Sequence, residues 1–255
     1  MPLFDTHAHY DSGSFREDRE EVLSALPAAG VELVVNPGCN LPSSRAAVDL
    51  AARFPHVYAA VGVHPEDCAG MEEADFAEIR RLCGEAKVVA VGEIGLDYHW
   101  KENPPKDFQQ QVFRRQIETA LELDLPVIVH DRDAHGDSLS IVREYPRLRG
   151  VFHCFSGSVE MAVELVKRGW YLGFDGPITY KNARKAREAA EAVPMDRMVI
   201  ETDSPYLSPV PLRGKRNDSR NLPYIVATLA EWKGVDVEEM ERATWENGKR
   251  LFDIS

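Results

Sequence analysis

The feature that most constrains this chain is a regular alternation of short β-branched runs with longer helical stretches. Eight runs read as strands: Leu3–His7, Glu32–Asn36, Val57–Val63, Val88–Gly92, Val127–His130, Val151–His153, Tyr171–Phe174 and Met198–Glu201. Several are continuously apolar, such as Val88-Val89-Ala90-Val91, as expected of strands buried on both faces of a parallel sheet. Helical segments lie between and after them, at about Asp18–Ala29, Ser43–Arg53, Glu73–Cys83, Lys106–Leu123, Asp137–Tyr145, Val159–Arg168, Ala183–Ala192 and Pro223–Lys233. In the fourth, Phe108, Val112, Phe113, Ile117, Ala120 and Leu121 form one apolar face. Gly30, Gly150 and Gly169 each follow a helix and precede a strand, as stop signals do. Eight such units in 255 residues point to one α/β domain over residues 1–255, a (β/α)₈ TIM-type barrel. A doubly wound open sheet is the alternative. It would more often carry a glycine-rich phosphate loop after the first strand, where this chain has Asp5-Thr6-His7-Ala8-His9.

Composition narrows the class. A hydrophobic content of 44% supports a sizeable core and excludes general disorder. No apolar run approaches the roughly 18 residues of a membrane span. The start, Met1-Pro2-Leu3-Phe4-Asp5, does not read as a secretory signal. The four cysteines form no C-x-x-C pair, so neither a disulfide framework nor a zinc finger is expected, and the chain reads as cytoplasmic. The net charge of −12 argues against coating a long nucleic acid, but not against drawing one end into a pocket.

Metal-type residues gather at one end of the expected strands. His7 and His9 end the first, His64 the third, Glu93 the fourth, His130 the fifth, His153 the sixth and Asp203 the eighth. In a barrel the C-terminal strand ends surround one site, and histidines at i and i+2 share a side. Alone, each has a plain structural reading, a bonded rim histidine or a capping carboxylate. Together, five of the eight histidines and two carboxylates in one layer have little use in a packed core. His56, His99 and His135 fall in loops or helix starts and are read as structural. Four imidazoles with two carboxylates suit Zn²⁺, Mn²⁺, Fe²⁺ or Co²⁺, with Mg²⁺ less favoured. Six ligands exceed what one open catalytic ion takes, so two divalent ions sharing a carboxylate are the simpler account.

At these residues the chain resembles the TatD family of metal-dependent deoxyribonucleases, within the amidohydrolase-like barrels. The motifs are Asp5-Thr6-His7-Ala8-His9, Gly62-Val63-His64-Pro65, Gly92-Glu93-Ile94-Gly95-Leu96-Asp97-Tyr98, Leu125-Pro126-Val127-Ile128-Val129-His130 with Arg132-Asp133-Ala134, His153-Cys154-Phe155-Ser156-Gly157, Glu201-Thr202-Asp203-Ser204-Pro205-Tyr206-Leu207, and Arg213-Gly214-Lys215-Arg216-Asn217, with Asn247 before Arg250-Leu251-Phe252. The resemblance implies a barrel hydrolase of phosphodiester bonds, typically in DNA. It implies that His7, His9 and Asp203 hold one ion, that His130 and His153 hold the second, and that Glu93 bridges them. It further implies that Asp203 takes a proton from the attacking water and that His64 contacts a substrate phosphate. Asp131 stands where members often carry Cys, Ser or Thr; its side chain is expected to point away from His130. Many binuclear amidohydrolases bridge their ions with a carboxylated lysine, and no lysine ends the fourth strand here.

The segment Ser204–Leu222 is long enough to be functional. Its Arg213, Lys215, Arg216 and Arg220 against Asp218 give a net +3, suited to a backbone phosphate or to a solvated loop. Tyr206 either stacks on a base or packs. Lys181 and Asn182, after the seventh strand, are further pocket candidates. The expectation is therefore an exonuclease trimming single-stranded or frayed DNA from an end, with two ions drawn from Zn, Mn, Mg or Co, no membrane contact, and a monomeric or weakly oligomeric state. Amide or ester hydrolysis at the same ions is the alternative, and a metal-stabilised scaffold without turnover the third reading.

Overall fold

Eight parallel strands follow one another around a single sheet in the order of the chain. They are β1 (Leu3–Asp5), β2 (Val31–Pro37), β3 (Val57–Val61), β4 (Val88–Asp97), β5 (Val127–Arg132), β6 (Gly150–Phe152), β7 (Tyr171–Phe174) and β8 (Met198–Ile200). The helices are α1 (Arg19–Ala25), α2 (Leu41–Arg53), α3 (Glu73–Leu82), α4 (Lys106–Leu123), α5 (His135–Glu144), α6 (Val159–Lys167), α7 (Arg184–Ala192), α8 (Leu222–Lys233) and α9 (Val237–Leu251). This computed structural model describes residues 1–255. The first and last strands meet just beyond their ends. Thr6 N–H donates to Ile200 O at 3.1 Å, Asp203 N–H to His7 O at 2.9 Å, and Ala8 bridges Ser204 in parallel. The expected (β/α)₈ barrel is therefore the observed one, and the open-sheet alternative is excluded.

Strand alternation sorts the apolar side chains into two cores. Phe4, Val35, Ala60, Ala90, Ile128, Val151, Tyr171 and Val199, one from each strand, fill the barrel interior. Their neighbours, such as Val34, Val61, Val91, Val129 and Ile200, join the larger cluster under the helices. The interior is plugged by Leu251, Phe252 and Ile254 from the end of α9. The Phe252 ring lies 6.0 Å from that of Phe4, and a Cβ at Gly248 would come within 2.5 Å of the same ring. Asn247 Nδ2 donates to Met195 O and Met198 O, which ties α9 to the start of β8. The N-terminal end of the barrel is thus filled, and the opposite end stays open to chemistry.

The helix α9 is absent from the sequence expectation, although Met240, Thr244, Gly248 and Leu251 recur at helical spacing. The expected helix Asp18–Ala29 is shorter: α1 ends at Ala25, and Pro27, which lacks an N–H, opens a 3₁₀ turn over Pro27–Ala29. The fourth strand runs ten residues and passes through Glu93 instead of stopping at Gly92. Its register on β5 shifts between Val91 and Ile94, and the Glu93 N–H turns to Gly38 O at 2.9 Å. Conversely β1, β3, β6 and β8 stop short, so His7, His64, His153 and Asp203 stand in the segments just beyond strands. No helix is long and apolar enough to cross a membrane.

Candidate metal centre

The carboxyl end of the barrel collects His7, His9, Glu93, His130, His153 and Asp203 in one cluster, the first three and His153 buried and His130 and Asp203 half-buried. Closure of the barrel makes this possible, because β1 and β8, nearly 200 residues apart in sequence, carry His7 and Asp203 to adjacent places. Asp5 fastens that seam: Oδ1 accepts from Thr202 N–H at 3.0 Å and Oδ2 from Thr202 Oγ1 at 2.6 Å. Burial raises the Asp5 carboxyl to about 7, against the hydrogen bonds it receives. On the opposite side α4 offers two buried glutamines seven residues apart. Gln116 bonds both the N–H and the C=O of Val63, and Gln109 those of Asp97. Each amide replaces a missing strand partner and fixes the backbone beside His64 and at the end of β4.

Glu93 lies at the middle of the cluster and divides its two oxygens. Its Oε2 is 3.3 Å from His7 Nε2 and 3.5 Å from His9 Nε2. Its Oε1 is 2.9 Å from His130 Nδ1 and 2.8 Å from His153 Nε2. Asp203 Oδ1 completes the first group, 3.6 Å from His7 Nε2 and 3.4 Å from His9 Nε2. Ligands on one tetrahedral ion with bonds of about 2.0–2.1 Å stand roughly 3.3 Å apart, so both groups have the right spacing.

Ring orientation supports the same reading. His9 Nδ1 lies 3.2 Å from the Pro37 carbonyl, which only accepts, so the hydrogen sits on Nδ1. Its Nε2 then faces His7 Nε2 at 3.0 Å, with the carboxylates beyond, and is the nitrogen left to take a cation or a second proton. His130 is turned the other way: Nε2–H donates to Asp97 Oδ2 at 3.0 Å, leaving Nδ1, 3.3 Å from His153 Nε2 and 2.9 Å from Glu93 Oε1, to take a cation or a proton. Asp97 is itself held by His99 N–H and Asn103 Nδ2 on Oδ1. Ring nitrogens and carboxylates converging this closely favour positive charge among them, and imidazole with carboxylate is a donor set for divalent transition metals.

The field of the cluster is consistent. Burial pushes the Glu93 carboxyl up, but His153, His7 and His64 together with the His130 hydrogen bond hold it well below the usual range. Burial opposes charge on His153, yet Glu93 and Glu201 raise it well above the ordinary histidine value. Protons therefore balance Glu93 when cations do not, and ion binding displaces them.

His64 is close to this group but differs in kind. Its Nδ1 accepts from Glu66 N–H at 3.2 Å, and burial beside His130 lowers its pKa to about 3. A neutral ring accepting at Nδ1 carries its hydrogen on Nε2, which points toward Glu93 Oε1 at 3.7 Å. His64 thus presents a donor to the pocket.

The chain matches the family model of TatD related DNase over residues 4–253. It belongs to that family. It is 45% identical to an uncharacterized metal-dependent hydrolase of Bacillus subtilis, YabD, over 99% of this chain and 100% of the relative. It is 37% identical to a 3′-5′ ssDNA/RNA exonuclease TatD of Cronobacter sakazakii, over 98% of this chain and 97% of that one. The crystal structure of YJJV, a TatD homolog from Escherichia coli, superposes with a TM-score of 0.93 at 31% identity, covering 99% and 98% of the two chains. The chain is accordingly a metal-dependent hydrolase of the TatD family.

In this TatD-family chain the other expected residues divide. Tyr206 is exposed at the rim, with its ring 6.4 Å from that of His9. Arg213 lies over the Tyr180 ring at 4.3 Å, and neither it nor Lys215 has an ion-pair partner. Arg216 is engaged within the fold, bidentate to Asp18 and stacked 4.6 Å over Phe15, and Arg220 pairs with Asp218. Asp131 points away from His130 and accepts from His135 Nδ1 at 2.8 Å. Sequence reasoning missed Asp97 and Glu201. Both were visible only as parts of motifs. Glu201 meets Cys154 N–H at 2.5 Å, and His153 Nδ1 lies 3.5 Å from it; a Cβ at Gly173 would come within 2.6 Å of its carboxylate.

Proposed function

We propose that this chain is a two-metal phosphodiesterase that removes nucleotides from the 3′ end of single-stranded DNA or RNA. The observation that carries the two-ion reading is the division of the Glu93 oxygens between two histidine pairs. His7, His9 and Asp203 would hold one ion, His130 and His153 the other, and Glu93 both. Divalent ions there supply Lewis acidity, neutralising phosphoryl charge and lowering the pKa of water. Asp203 takes the proton of the attacking water as the new P–O bond forms. The bond to the departing oxygen breaks in line, and that oxygen takes a proton from solvent. His64 Nε2–H would donate to a phosphoryl oxygen, and Arg213 and Lys215, the loop cations without ion-pair partners, would receive the next phosphate. The exonuclease assignment is supported by the name of the Cronobacter relative and by the charge of −12, which disfavours long-strand coating.

The direct test uses end-labelled single strands, circular single strands and bis(p-nitrophenyl) phosphate. Chelated and dialysed protein is expected to lose all activity and to regain it with Mn²⁺, Zn²⁺, Co²⁺ or Mg²⁺ to differing degrees. Saturation should require more than one equivalent of ion. Linear strands should shorten from the 3′ end while circles resist; rapid cutting of circles overturns the end-trimming assignment, and full activity in excess chelator overturns the metal mechanism.

Asp97 gives a separate check. It holds His130 in the tautomer that presents Nδ1, so Asp97→Asn should lower affinity for one ion about 10–100-fold and leave the other nearly unchanged. Equilibrium dialysis against Zn²⁺ measures this without turnover. Equal loss at both ions would place Asp97 in support of the whole centre.

A further inference from the structure

Beyond the metal centre, a surface groove of about 660 Å³ runs between the turn after β7 and the helices α7 and α8. Its walls include Tyr180, Lys181, Arg184, Arg187, Tyr224 and Trp232. Tyr224 is 41% exposed, and the Arg187 guanidinium lies 6.0 Å over the Trp232 ring. Three cations face one acid, Glu231, within a chain whose net charge is −12. Arg184 and Arg187 contact Glu188 and Glu191 one turn along their own helix, in exposed pairs that a phosphate readily displaces.

The groove shares a wall with the metal centre. Asp203 opens the loop that carries Tyr206 past His9, and the same loop packs directly on the groove's turn. A Cβ at Gly176 would lie 1.7 Å from Leu207 O, so only backbone separates them. Tyr180 Oη donates to Ser208 O at 2.9 Å, and Val210 N–H donates to Thr179 Oγ1 at 2.8 Å. Arg213, in the same loop, is stacked on Tyr180.

We infer that this groove holds the part of a single-stranded nucleic acid upstream of the bond being cut, with a base on Tyr224 and phosphates on Lys181 and Arg184. The inference rests on the phosphodiesterase reading above and adds the path of the strand. Aromatic faces interleaved with cations are what a single strand needs: stacking is tolerant of sequence, and the cations follow the backbone. A long-strand binder would spread this pattern over the surface, whereas here it adjoins the site on one side.

The test is the dependence of KM on strand length. Oligothymidylates of about 2 to about 10 nucleotides bracket the smaller sites typical of such grooves. In the wild-type protein KM should fall as the strand lengthens, then level off. Tyr224→Ala should raise KM for the longest strand about 5- to 100-fold, the usual cost of losing one stacked base, and Arg184→Glu should raise it through the lost phosphate contact. KM for the dinucleotide and for bis(p-nitrophenyl) phosphate should not move. Both side chains are exposed, so unchanged melting temperatures are expected to accompany these effects. Strands cut from the end with a KM independent of length would overturn the groove while leaving the phosphodiesterase reading intact. Hydrolysis of the small diester with no cleavage of any strand would overturn the nucleic-acid assignment, and the groove with it.

Discussion

Asp203→Asn is expected to lower kcat on bis(p-nitrophenyl) phosphate by about 10²–10⁴-fold, the range for loss of a general base. The side chain lies within 3.6 Å of both His7 and His9, and burial tends to raise its carboxyl. The hydrogen bond from His9 and the field of His7 outweigh burial and bring it below the ordinary carboxylate value. It is therefore ionised at neutral pH and able to take a proton, which an amide cannot do. Asparagine is close in shape and tolerates the left-handed backbone of this residue, with φ +53°. The fold should persist and KM should change less than kcat. Steady-state kinetics at saturating metal decide the matter, together with a melting curve. A kcat near the wild-type value would remove Asp203 from proton transfer.

Glu93→Gln is expected to weaken both ions at once, each by at least about 10²-fold, more than the loss of an outer hydrogen-bonding partner. The reason is geometric. One carboxylate serves two histidine pairs through different oxygens, so its charge is withdrawn from both. His9→Ala, by contrast, touches only the group on the Oε2 side and should release one ion. Competitive titration with a chromophoric chelator gives both affinities. Loss of a single equivalent in Glu93→Gln would mean that the two ions do not share this residue. Activity should fall in parallel with occupancy, and added Mn²⁺ or Zn²⁺ at high concentration should restore part of it.

The alternation of apolar runs and amphipathic segments along this chain determined its architecture. Both signals are local: strand side chains repeat every second residue and helix faces every third or fourth, so burial can be read from neighbours. The same locality made His7, His9, His64, Glu93, His130, His153 and Asp203 visible as one layer at the strand ends. It did not reveal which of them face one another. That followed only when β1 and β8 met and the Asp5–Thr202 bonds closed the seam between residues almost 200 apart. The shared position of Glu93 depended on the register shift within β4, which no local pattern marks. Donor roles at His64 and His130 depended on Glu66 and Asp97. Arg216 looked like a free cation in its loop, yet Asp18 and Phe15, near the other end of the chain, engage it. Even α9, periodic as it is, acquired its purpose as a plug only from a barrel interior built by all eight strands. Sequence determines which surfaces must be buried; the partners that satisfy each polar atom are chosen across the barrel, at distances in the chain that no local period spans.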